Sequence, residues 1–93
     1  EPKNISGLKA INAINVYPNP TDGNVSIAVD VAFEGNAMIS VTAVNGADVR
    51  LISRRLQKGN NQVEVDMKNL PAGMYFATVS VNGQSSTVKI VKQ

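Results

Sequence analysis

Acidic side chains are the first candidates for chemistry in this sequence, because carboxylates bind cations and transfer protons. Four of the seven acidic residues are aspartates that could supply oxygen ligands for calcium: Asp22, Asp30, Asp48 and Asp66. Calcium loops place such ligands at alternate positions in a D-x-D-x-D-G pattern, and this spacing is missing. We therefore interpret Asp22, which precedes Gly23, and Asp48 as turn residues whose side chains accept backbone hydrogen bonds.

Other kinds of catalytic site have even less support. A glycosidase needs two carboxylates across a cleft, and the chain has only four aromatic residues that could line one. It contains no His, no Cys and no Trp. Zinc, iron–sulfur and haem sites draw mainly on His and Cys, and thiol chemistry and histidine triads require them. We expect no cofactor, no metal and no enzymatic activity in this domain.

Basic residues offer an anion-binding interpretation. Six of them form two groups: Lys3 with Lys9, and Arg50, Arg54, Arg55 and Lys58. The second group could bind phosphate or an anionic polymer, or it could be solvated charge that blocks edge-to-edge pairing of sheets. Net charge is only +2 and no aromatic residues alternate with the basic ones. We favour the second interpretation and expect no nucleic-acid partner.

Length and composition indicate one globular domain. The chain has 93 residues, of which 43% are hydrophobic and 17% charged, values that argue against disorder. No apolar run approaches the roughly 20 residues of a membrane span, and no basic start with an apolar stretch marks a signal peptide. We expect no stable membrane insertion, and an export address elsewhere or in a longer precursor.

The elements that must position these side chains are predicted to be β-strands. Apolar residues alternate with polar ones in several runs, which is typical of strands with one buried face. The alternating apolar positions are Val25, Ile27, Val29, Val31, Ile39, Val41, Ala43, Val63, Val65, Met67, Tyr75, Ala77, Val79 and Val81. No window shows a helical stripe. The pattern predicts an all-β fold, a small immunoglobulin-like antiparallel β-sandwich of about seven strands.

Two Asn-Gly pairs and one boundary complete this prediction. Asn45-Gly46 and Asn82-Gly83 lie between alternating runs and predict hairpins. Residues 1–13 differ in pattern, and we interpret them as the end of an interdomain linker. The alternative, a first strand within this segment, has comparable support. The domain proper is predicted to cover residues 14–93.

Two short motifs are ordinary loop chemistry taken singly but unusual in their order. The first is Tyr17-Pro18-Asn19-Pro20, followed by Thr21-Asp22-Gly23. The second is Leu70-Pro71-Ala72-Gly73-Met74-Tyr75. Between them lies the strand–turn–strand region around Asn45-Gly46, and after them comes a terminal Val88-Lys89-Ile90-Val91-Lys92-Gln93.

Together these motifs resemble the type A C-terminal sorting domain of the type IX (Por) secretion system. The resemblance covers about residues 14–93, and the combination of motifs is specific although each motif alone is weak. Family members usually continue the central turn with Arg or Lys, whereas Ala47 and Asp48 follow Gly46 here.

The resemblance implies targeting rather than chemistry. Such domains are the last part of larger cargo proteins in Gram-negative bacteria, and the cargo can itself be an enzyme. The cargo would reach the periplasm through a separate N-terminal signal and then cross the outer membrane to the cell surface or the medium. A sortase would remove the domain, with cleavage in or near residues 1–13, and the cargo could be attached to lipopolysaccharide. Expected partners are the translocon, the sortase and the N-terminal cargo domain.

The tail is our candidate for translocon recognition: Lys89, Ile90, Val91, Lys92 and Gln93. We hypothesise that this tail offers an edge strand for β-augmentation, with the alternation of Val88 and Ile90 around Lys89 setting the face that is read. An exposed edge could also pair with a second copy of the chain. The family-motif residues are assigned mainly to fold integrity: Tyr17, Pro18, Asn19, Pro20, Asp22, Gly23, Gly46, Leu70, Pro71, Gly73 and Tyr75.

An immunoglobulin-like adhesion, carbohydrate-binding or spacer module is the alternative, because fold alone does not decide function. A sugar-binding module is expected to present Trp or Tyr for stacking. The chain has no Trp and two Tyr, and Tyr75 lies on the apolar alternation, where a core position is expected.

Overall fold

The computed structural model describes residues 10–93, which form seven β-strands. These are β1 (Ile11–Tyr17), β2 (Val25–Val31), β3 (Gly35–Ala43), β4 (Asp48–Leu56), β5 (Gly59–Val65), β6 (Gly73–Val81) and β7 (Gln84–Lys92). The described residues contain no helix, and so none long and apolar enough to cross a membrane.

The strands form two antiparallel sheets that pack as a sandwich. One sheet has the order β1-β2-β5 and the other the order β4-β3-β6-β7. The central strands are paired on both sides: β2 with β1 and β5, β3 with β4 and β6, and β6 with β3 and β7. This confirms the all-β immunoglobulin-like sandwich.

The core lies between the two sheets and follows the alternation in the sequence. Every second residue of β2 and β6 is buried, from Val25 to Val31 and from Tyr75 to Val81. β3 contributes Ile39 and Val41. Because successive side chains of a strand point to opposite faces, one alternating run suffices to define its buried face.

The two predicted hairpins are present but differ in geometry. β6 and β7 are joined by Asn82-Gly83 alone, and both residues have the positive φ that a type I′ turn requires. The β3–β4 connection is longer, covering residues 44–47, because the strands are last linked where Ala43 N–H donates to the Ala47 carbonyl. There Gly46 has φ 93°, while Asn45 accepts a hydrogen bond from Ala47 N–H through its side chain.

The first strand begins before residue 14, where the domain was predicted to start. β1 starts at Ile11, and both Ala10 and Ile11 are buried in the core. Residues 11–13 thus belong to a first strand, the alternative to the linker interpretation, and Ala10 and Ile11 complete the core next to β2. Residues 1–9, with Lys3 and Lys9, lie outside the described residues.

Candidate recognition surface at the last strand

The tail, residues 89–93, is the end of strand β7 and the residue after it. Its side chains alternate between the core and the solvent. Ile90 is fully buried and Lys92 is 7% exposed, whereas Lys89 and Gln93 are exposed and Val91 is half-buried. The two lysines therefore differ in environment, and only Lys89 presents its charge to solvent, as the Lys92 ammonium donates to the Gln93 carbonyl at 3.2 Å.

The outward side chains of the tail continue onto β6 as one surface, which we call the outer patch: Met74, Phe76, Lys89 and Val91. Phe76 is paired with Lys89 and Met74 with Val91 across the two strands. Phe76 is 36% exposed and Met74 44% exposed. No described residue forms an ion pair with Lys89. The outer patch thus places one unpaired positive charge among three apolar side chains.

The Asn19 side chain binds the outer edge of the tail. Its Nδ2 donates to the Lys89 carbonyl at 2.8 Å, and its Oδ1 accepts from Val91 N–H at 2.9 Å. These are the backbone groups that a neighbouring strand would otherwise use. One amide therefore replaces a strand partner at this point of the edge.

Thr21 continues the same contact toward the end of the chain. Its N–H donates to the Val91 carbonyl at 2.9 Å, and its carbonyl accepts from Gln93 N–H at 2.7 Å. Thr21 and Lys92 form a parallel bridge, and both are buried. We call residues 19–21 the clamp. The outer edge of the tail is occupied by the clamp, so our expectation that the tail presents a free edge strand is wrong.

The clamp is shaped by its own short turn. The Thr21 hydroxyl donates to the Asn24 carbonyl and accepts from Gly23 N–H, at 3.1 and 3.0 Å. This is the side-chain turn contact that the sequence analysis assigned to Asp22, which is exposed. The preceding bonds, Tyr17–Pro18 and Asn19–Pro20, are both cis.

The second motif anchors the start of β6. The Tyr75 hydroxyl donates to the Pro71 carbonyl at 2.6 Å, and the ring is buried at 4% exposure. Immunoglobulin-like sandwiches use such a tyrosine to hold the corner before this strand. Leu70 packs against the core, and Gly73 has φ 150°, where a side chain would be strained. The core position predicted for Tyr75 is confirmed.

The structure thus brings the first motif into contact with the tail, a contact that was not predicted from the sequence. The clamp and the tail are about 70 residues apart in the sequence and form one site. Sequence reasoning missed this contact and also missed Met74 and Phe76. One signal for this surface was available in the sequence: Phe76 is a large apolar side chain at a position where the alternation predicts exposure to solvent.

The remaining candidates lie elsewhere. The arginines of the second basic group are on β4, at the far edge of the four-stranded sheet, and Arg55 pairs with Glu34 at 3.3 Å. Gly46 lies in the β3–β4 turn. Within residues 10–93, no group of three or more acidic side chains is arranged to hold a metal ion.

Fold and site together define a small β-sandwich whose last strand is locked to an early loop. A family model described as a secretion system C-terminal sorting domain matches residues 15–93, which is most of the chain. The chain therefore belongs to the C-terminal sorting domains of type IX secretion, as the resemblance predicted. Membership implies interaction with the type IX machinery and export to the cell surface or the medium.

Comparison with solved structures finds a partial match in the crystal structure of a GH3 beta-glucosidase from Bifidobacterium adolescentis. The sequence identity is 12% and the TM-score 0.41. The match covers 87% of this chain but only 17% of that one. Comparison with curated protein sequences finds no match.

Proposed function

We propose that the outer patch is the part of this sorting domain that the type IX translocon reads. The single observation that carries the proposal is the arrangement of the tail, in which Ile90 anchors the strand while Lys89 and Val91 face outward beside Phe76. A partner that fits this surface presents apolar groups around a carboxylate for Lys89. Apolar contact supplies most of the affinity and the charge pair supplies orientation.

The domain acts without chemistry of its own. A sorting signal has to be a shape that unrelated cargos share, and a rigid sandwich meets this need whatever precedes it. The cargo is proposed to reach the periplasm first, through a separate N-terminal signal, and then to cross the outer membrane. Neither step requires the domain to be an enzyme or to bind a cofactor.

Removal of the domain is proposed to follow at the surface. A sortase would cut within the first residues of the chain, releasing the cargo or attaching it to lipopolysaccharide. A bond before Ala10 fits this role, because cutting there leaves every described strand intact. A bond after Ala10 would separate Ile11 and the rest of β1 from a residue buried in the core.

A secretion assay tests the recognition step. A periplasm-directed fluorescent protein is fused to residues 1–93 and expressed in a host with type IX secretion. Deleting the tail is a poor comparison, because it removes Ile90 from the core and the β7 partners of Gly73 and Tyr75. The sharper variants are Lys89→Glu and Val91→Ser, which change only outward side chains.

Each variant has a matched control of the same chemistry. Lys68→Glu alters an exposed lysine of the β5–β6 loop, and Val44→Ser alters a 66% exposed valine of the β3–β4 turn. We expect the two tail variants to stay in the periplasm and the two controls to be exported. Export of all four would contradict the proposal for the outer patch. Failure of the unmodified fusion, with fluorescence confirming its folding, would favour an adhesion or spacer module instead.

A further inference from the structure

We infer that Asn19 is a positioning residue for the tail, and that the machinery reads the tail while the clamp holds it. The inference rests on the proposed function, because it concerns the same recognition step. The inference extends the sorting element beyond the tail. Residues 19–21, which lie about 70 residues earlier in the sequence, belong to this element because they hold the tail.

Four hydrogen bonds carry this inference, and they form an uninterrupted row. The Asn19 amide binds Lys89 and Val91, and the Thr21 backbone binds Val91 and Gln93. The N–H and the carbonyl of Val91 are therefore both engaged. A row of hydrogen bonds of this kind fixes the position and the register of a strand end, which would otherwise fray.

Fixing the tail matters because the outer patch is assembled from two strands. Val91 lies beside Met74, and Lys89 lies beside Phe76, only while β7 stays paired with β6 to its end. A tail that frays from β6 separates these pairs. Interaction surfaces bind more tightly when their residues are held in the bound geometry beforehand.

Recognition by strand addition to the tail predicts the opposite effect of the clamp on export. Strand addition to the tail needs the backbone groups of Val91 and Gln93 to be free, and in this structure the clamp occupies them. If the machinery reads the tail by adding a strand, loosening the clamp should help export. If it reads the side chains of a held tail, loosening the clamp should reduce export.

The variant Asn19→Ala separates these mechanisms. It removes both side-chain bonds but leaves the Thr21 backbone and the buried side of β7 unchanged. We expect amide exchange at Ile90 and Lys92, which pair with Tyr75 and Gly73 of β6, to rise about tenfold, the effect of losing hydrogen bonds of ordinary strength. Exchange at Ile39 and Val79, in the centre of the same sheet, should be unchanged.

Two matched controls accompany this variant. Asn15→Ala changes another exposed asparagine, on the wet face of β1. Ile27→Val makes a small buried change in the other sheet and so lowers global stability without touching the tail. We expect both controls to be exported like the unmodified fusion.

The fusion carrying Asn19→Ala should be exported several-fold less than these controls. Unchanged or increased export of this variant would overturn the inference, and so would undiminished protection of the Ile90 and Lys92 amides. Failure of the unmodified fusion to be exported would overturn the proposed function instead. In that case the exchange result would still establish whether Asn19 holds the tail.

Discussion

The two edges of the four-stranded sheet are closed in different ways. At one edge, β7 is covered along the tail by the clamp, a segment from the start of the chain. At the other edge, β4 is covered by its own side chains. The Arg50 guanidinium donates to the Val49 carbonyl at 2.7 Å and to the Asp66 carbonyl at 2.9 Å.

The β7 edge is therefore held rigidly, whereas the β4 edge is only protected from pairing with another chain. The clamp uses backbone and side-chain hydrogen bonds, and Thr21 is buried where it bridges Lys92 of the tail, so the clamp holds β7 in one register. The β4 arginines are charged, with Arg54 and Arg55 exposed and Arg50 half-buried, and they discourage pairing with another chain. The β7 edge is held by hydrogen bonds from another part of the fold, whereas charge discourages pairing at the β4 edge.

The largest expected effect comes from the buried side of the tail. Ile90→Ala should lower the free energy of unfolding by about 2–5 kcal/mol, because it leaves a cavity in a closely packed core. Chemical denaturation measures this loss. Val91→Ala, one residue away on the outer patch, should cost less than about 1 kcal/mol. Equal losses at the two positions would mean that the tail does not alternate as described.

Weakening the clamp itself should have an intermediate effect. Thr21→Val keeps the shape of the side chain but removes the two bonds of its hydroxyl. Because the site is buried, we expect stability to fall by about 1–2 kcal/mol. Thr87→Val removes a hydroxyl that is hydrogen-bonded to the Thr78 hydroxyl at an exposed position of β7, where water replaces the lost bond, and should be nearly neutral. A neutral result for Thr21→Val in thermal unfolding would argue against a rigid clamp.

Removing the charge from the other edge should change association more than stability. The double variant Arg50→Ala and Arg54→Ala uncovers the Val49 and Ser53 carbonyls. We expect it to self-associate through β4 at concentrations where the unmodified domain elutes as a monomer. The control, Lys68→Ala with Lys89→Ala, removes the same charge outside β4, since Lys68 lies in the β5–β6 loop and Lys89 on β7. Monomeric elution of the arginine variant on size-exclusion chromatography would contradict this prediction.

The smallest effect is expected at the ion pair beside β4. The Glu34 and Arg55 side chains are 60% and 54% exposed, so solvent screens their interaction. Glu34→Gln should change the free energy of unfolding by less than about 0.5 kcal/mol. A loss well above this value, measured by denaturation at low and high salt, would show that charge does stabilise this edge.

Most of the fold could be predicted from the sequence, because it depends on local periodicity. Alternation assigns the buried faces of β2 and β6 correctly, and Asn82-Gly83 identifies its hairpin by turn chemistry alone. The position of Tyr75 in the core follows from the same alternation. Short motifs in a fixed order likewise indicated the family, and the family model matches residues 15–93.

The candidate site could be predicted only in part. The tail is visible in the sequence, but nothing local distinguishes Lys89, which is exposed, from Lys92, which is buried. The partnership of Asn19 with the tail is decided by how β1 and β7 meet at one side of the sandwich. A hydrogen bond between residues so far apart leaves no periodic pattern in the chain. Periodicity along the sequence therefore determined the strands and their faces, while the packing of the two sheets decided which edge is closed and what it presents.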